Sequence, residues 1–341
     1  MPILDFYGLK KDINKVISED IRLPNIAAIL KKEKIKVCAY VDNQEEEAIA
    51  QANPEEPLNI RFRMDPTEQK RPTFMKKNLN ESIFNSFRCL EIGSQIVNLN
   101  GIQLNLGLTL EYDEILYGCF EKNFKKNKQY PGGWSSLFTH NEKEQDKKFW
   151  MPKSNSIVIN DNYIFNQISR KRNNLGLLNL TKIFEVIMPE TSSDEFHITI
   201  ITSAANWMPD DAKRNFDSIS SALENKFKYP IFIELVIWGR SLTENHKRML
   251  ISNYFIATTD KGFDLFNEDN SAYDTNDILI RRIFHDVRQP GESPYQQSLV
   301  RLELLSKIYN EAKAYCLRVT QTKGMIYLSN NIDKNKSNRL L

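Results

Sequence analysis

Cysteine, histidine and glycine are scarce in this chain, and each scarcity closes off a class of function. The four cysteines, Cys38, Cys89, Cys119 and Cys316, are scattered with no C-x-x-C pair, and none of the four histidines stands near them at ligand spacing. Neither a zinc site nor a disulfide framework is indicated, so no metal is expected and the thiols read as reduced and mostly buried. Charge of one sign is missing as well: the formal net charge is +2, with basic and acidic residues balanced in both halves. Any anion-binding site must therefore be local. No apolar run approaches the roughly 18 residues of a membrane span. The opening stretch MPILDFYGLKKDINKV lacks the apolar core behind positive charge that marks an export signal. The expectation is a cytoplasmic protein with no membrane span and no cofactor. Abundant Lys, Asn and Ile beside only 12 glycines suggest an AT-rich bacterial genome.

What is present is enough apolar material, 41% of 341 residues, for one large core or two ordinary ones. The first part reads as a helix at 24–33, a strand at 35–41, a helix at 44–52 and a loop at 53–72 with a short strand at 60–63. A strand at 102–110 and a helix at 112–124 follow. A polar run with Pro131, Gly132 and Gly133, interrupted by aromatics, marks a junction. Beyond it come a strand at 157–159, a helix over GLLNLTKIFEVIMP, a strand at 196–202, a helix at 210–227 and a strand at 231–238. Strands at 246–253 and 254–259 and a helix at 295–317 complete the series. The fold class is α/β. Residues 1–130 form a small α/β or α+β domain, 131–153 a linker, 154–330 a mixed sheet flanked by helices, and 331–341 a polar tail expected to be partly disordered. No internal repeat is present.

The segment NHKRMLISN places His246, Arg248 and Asn253 at the spacing H-x-R-x-x-x-x-N. On a strand His246 and Arg248 share a face and project into one cleft. With Lys247 and Arg248, the basic residues Arg170, Lys171, Arg172, Lys213 and Arg214 are candidates for contacting phosphate, although a solvated loop or helix face accounts for most such residues. His285 and Asp286 are adjacent and point apart. His197 reads as a sheet histidine, and Asp42 as a helix cap more than a metal-binding carboxylate.

The spacing resembles the H-x-K-x-x-x-x-D motif of the phospholipase D superfamily. The flanking segments INDNY, NLTKIF, HITIIT and DKGFDLFN are similar to its single-domain branch, which includes the C-terminal domain of MIT-containing proteins. The resemblance covers about residues 155–285. It implies a phospholipase D-like sheet in which a histidine attacks phosphorus, a second histidine from another half or subunit protonates the leaving oxygen, and lysines hold the phosphate. His246 stands for the nucleophile, Arg248 for the lysine and Asn253 for the aspartate. Arginine holds phosphate well, whereas an amide cannot replace a carboxylate that orients a histidine. The resemblance therefore implies a degenerate site that binds a phosphate-bearing partner, foremost nucleic acid, by analogy within an antiphage defence or mobile-element system. A metal-independent homodimeric nuclease using His246 and a non-catalytic protein adaptor are the alternatives.

Overall fold

The computed structural model describes residues 4–9, 36–41, 52, 60–64, 88–93, 107–109, 119–138, 154, 156–165, 175–188, 190, 195–203, 209–238, 248–253, 255–282, 294–318, 324–328, 338, 340 and 341. The N-terminal strands are β1 (Leu4–Leu9), β2 (Lys36–Val41), β3 (Ile60–Met64), β4 (Arg88–Gly93) and β5 (Gly107–Thr109). They form a five-stranded sheet in the order β3-β2-β1-β4-β5. Every pairing in it is parallel, the order of a doubly wound sheet. The predicted helix at 24–33, and all but residue 52 of the one at 44–52, lie outside the described residues.

The second sheet has eight strands in the order β13-β9-β8-β7-β10-β11-β12-β6. They are β6 (Cys119–Phe124), β7 (Ser156–Asn160), β8 (Phe196–Ser203), β9 (Ile231–Trp238), β10 (Arg248–Ser252), β11 (Phe255–Thr259), β12 (Asn276–Arg282) and β13 (Gly324–Leu328). β7, β8 and β9 are parallel. The remaining pairings are antiparallel, so the sheet is mixed. The described helices are α1 (Trp134–Phe138), α2 (Leu175–Ile187), α3 (Pro209–Lys226) and α4 (Pro294–Arg318). None of them is long and apolar enough to cross a membrane.

Both faces of this sheet are covered, which explains why β7 (SIVIN) and β9 (IFIELVIW) read as near-continuous apolar runs, whereas β8 (FHITIITS) alternates. On one face Ile157, Ile159, Ile198, Ile200, Ile233 and Leu235 pack with Leu180, Ile183 and Phe184 of α2 and with Phe216, Ile219 and Leu223 of α3. On the other, Val158, Val236, Ile251 and Ile256 pack with Leu302, Leu305, Ile308 and Ala312 of α4. Each such buried Leu or Ile contributes about 1.5–3 kcal/mol relative to exposure.

One expectation is corrected. Residues 119–124, predicted as the end of a helix, form strand β6 against β12. Its burial alternates, with Phe120, Lys122 and Phe124 more covered than Glu121 and Asn123, a period of two that a helix cannot satisfy. The beginning of the expected linker, residues 131–138, carries α1, whose Trp134, Leu137 and Phe138 are buried in the core of the second sheet. The described part of the polar tail is held in place: Asn338 and Leu340 are buried. The Asn338 amide accepts from Ser156 Oγ at 2.6 Å and donates to the Ile157 carbonyl at 3.0 Å.

Candidate functional site

The site is built at the carboxyl end of β7, where the neighbouring strand changes from parallel β8 to antiparallel β10. Ligands in open α/β sheets bind at such an edge. β7 ends at Asn160, and the chain turns at Asp161, whose backbone N–H donates to the Ile201 carbonyl at 3.1 Å. Gly176, in the first turn of α2, lets the helix close on this turn, because a Cβ there would stand 1.6 Å from the Ile164 carbonyl oxygen.

Asp161 is fully buried. Its carboxylate accepts from the backbone N–H of Tyr163 at 2.9 Å and of Phe263 at 3.0 Å. It also pairs with Arg248 Nε at 3.4 Å. Burial pushes its pKa up, and these two N–H groups and the guanidinium act against that rise. Arg248 opens β10 and donates through Nη1 to the Asp260 carbonyl. Its guanidinium carbon lies 5.1 Å from the centre of the Tyr163 ring. Tyr163 is 40% exposed, one of two large hydrophobic side chains left so open among the described residues.

The loop after β11 closes the site. Gly262 has φ +128°, a conformation that favours glycine. A Cβ there would stand 2.8 Å from Asp264 Oδ1, 3.0 Å from Asp161 Oδ2 and 3.6 Å from Arg248 Cδ, so these three side chains converge on it. The turn is framed by buried Asn276. Its amide donates to the Gly262 carbonyl at 2.9 Å and accepts from Thr259 Oγ1 at 2.8 Å and the Lys261 N–H at 3.1 Å. Asn179 of α2 fixes the loop further along: its carbonyl accepts from Trp134 Nε1 at 2.7 Å and the Phe266 N–H at 2.9 Å, and its amide donates to the Phe266 carbonyl at 2.8 Å. Asp264, between these anchors, has its pKa pushed up to about 6 by burial and by the charge of Asp161, with its own N–H and Arg248 acting against the rise and Asp274 adding to it.

Of the residues singled out in the sequence, Arg248 lies in this site. Asn253 does not: it stands past the other end of β10, roughly 16 Å away at the rise of a strand, and its carbonyl is taken by the Ser156 N–H at 3.0 Å. His246, Lys247, Arg170, Lys171, Arg172, His285, Asp286 and Asp42 lie outside the described residues. Lys213 and exposed Arg214 are in the first two turns of α3, which follows β8 and so begins on the same edge of the sheet as Asp161. His197 belongs to the opposite edge, buried, 3.0 Å from Glu195 and with its ring tilted against Phe232. Asp161, Tyr163 and Asp264 sit within the INDNY and DKGFDLFN segments, but nothing in their spacing marked them as chemistry-bearing. Among the described residues, no group of three or more His, Cys, Asp and Glu side chains is placed to hold a metal. Compared with models of known protein families and with curated protein sequences, the chain matches none.

Proposed function

We propose that this chain binds a phosphate-bearing partner, nucleic acid, at the carboxyl edge of β7, and that it does so without turnover. The observation that carries this reading is the Arg248 guanidinium over the exposed Tyr163 ring. A part-exposed aromatic ring under an anchored cation suits a base stacked beside a phosphate. Arg248 is held from behind by Asp161 and the Asp260 carbonyl, so little side-chain freedom is lost on binding. The start of α3, whose sequence carries Lys213 and Arg214, lies on the same edge of the sheet.

Asn253, in the place of the motif's aspartate, is an amide that cannot orient a histidine as a carboxylate does, and its side-chain oxygen is engaged by the Ser156 N–H, which favours binding over catalysis. A mixed sheet flanked by helices agrees with the resemblance to a degenerate phospholipase D-like domain, and that resemblance also supplies the defence or mobile-element setting. The test is incubation with labelled single- and double-stranded DNA and RNA in EDTA, read for cleavage and for mobility shift, with His246→Ala and Arg248→Ala alongside. Retention without cleavage, lost in Arg248→Ala, is expected. Cleavage abolished by His246→Ala would establish the homodimeric nuclease instead, and neither cleavage nor retention would leave the adaptor.

A further inference from the structure

The Arg248 edge contains an acceptor that the phosphate reading does not use. Asp161 is committed to two backbone N–H groups and Arg248. Asp264 is not: among the described residues its carboxylate draws on its own backbone N–H and on no other hydrogen-bond donor. It is partly open to solvent, and one oxygen packs with Asp161 and Arg248 against buried Gly262, which places the carboxylate beside Arg248. Burial and the neighbouring charge leave this carboxylate poorly compensated. Such an acceptor gains strongly from N–H donors brought by a ligand.

The geometry limits what the ligand is. Two carboxylates repel a phosphate or any acceptor at this point, so the phosphate must lie toward Arg248 and a donor edge must face Asp264. Arg248 disfavours a second cation there, while the exposed Tyr163 ring offers a face for a planar group. Among nucleobases, guanine alone presents two adjacent N–H donors, N1–H and N2–H, which match the two oxygens of one carboxylate. Adenine and cytosine place an acceptor nitrogen beside a single amino donor, and thymine flanks its N3–H with two carbonyls.

We infer that Asp264 is a specificity-determining residue that selects guanine, stacked on Tyr163, through its Watson–Crick edge. The inference rests on the Arg248 site proposed above. It is tested by fluorescence anisotropy with short single-stranded oligothymidylates carrying one central dG, dI, dA or dC, on the full chain in EDTA. Inosine keeps N1–H and lacks the 2-amino group, so the ligand itself supplies the variant and the protein need not be altered. The wild type should bind the dG probe about tenfold more tightly than the dI probe, the value of one charge-assisted hydrogen bond. Asp264→Asn, nearly the same shape, should bring the two within about twofold, and Arg248→Ala should weaken all four probes alike. Equal affinity for dG and dI in the wild type, or an unchanged ratio in Asp264→Asn, overturns the guanine assignment and leaves the phosphate site standing. If no probe binds, or if Arg248→Ala binds as the wild type does, the underlying site is lost and the inference with it.

Discussion

At the scale of single residues, Asp264 and Gly262 govern the site. Asp264 takes up its proton more readily in the fold than in an unfolded chain, because burial and Asp161 raise its pKa to about 6. Its contribution to stability is full below the ordinary carboxylate range and is lost as pH rises through about 6. Asp264→Asn removes that loss. Denaturant unfolding should show the variant gaining on the wild type as pH rises, by on the order of 2 kcal/mol at neutral pH. Parallel pH profiles would mean that the carboxylate is better solvated than its surroundings imply. Gly262→Ala strains a backbone at φ +128° and drives a methyl group against both carboxylates. A loss of about 1–3 kcal/mol is expected, together with weaker nucleic-acid retention, because the methyl displaces the Asp161 and Asp264 carboxylates and with them Arg248.

At the scale of elements, the part of the loop next to Asp264 is held by α2 through Asn179, while Lys182 of the same helix reaches Asn270 further along at 3.1 Å. Asn179→Leu leaves the Trp134 indole N–H and both backbone groups of Phe266 unpaired in a buried setting. Thermal or denaturant unfolding should show a loss of about 3 kcal/mol. The affinity for nucleic acid should fall even where the variant remains folded, since Asp264 would no longer be positioned. Elements whose apolar pattern is local were legible in the sequence: α2, β8, α3, β9 and α4 fall within a residue or two of where periodicity places them. β6 was misread because six residues of alternation follow a helix-like stretch, and what keeps them extended is β12, far along the chain. β12 escaped notice because Asp277, Arg281 and Arg282 interrupt the alternation of Ile278 and Ile280. The site was legible only through Arg248. Asp161 and Asp264 are lone aspartates in turns, a placement that capping explains as well, and only the pairing of β7 with β10 and the closure of the loop at Gly262 bring them to Arg248.

At the scale of the whole chain, the described residues form two sheets, one of five parallel strands and one of eight mixed strands. The near-neutral composition concealed the local arrangement, in which a single anchored arginine, an open tyrosine and an undercompensated carboxylate occupy one edge of the second sheet. The most direct test is the affinity of labelled single-stranded DNA, in EDTA, across a salt series for the wild type and Arg248→Ala. The wild type should retain DNA uncleaved, with affinity falling as salt rises, and Arg248→Ala should bind about tenfold more weakly with a salt slope shallower by about one. Superimposable curves for the two proteins would contradict binding at the Arg248 edge.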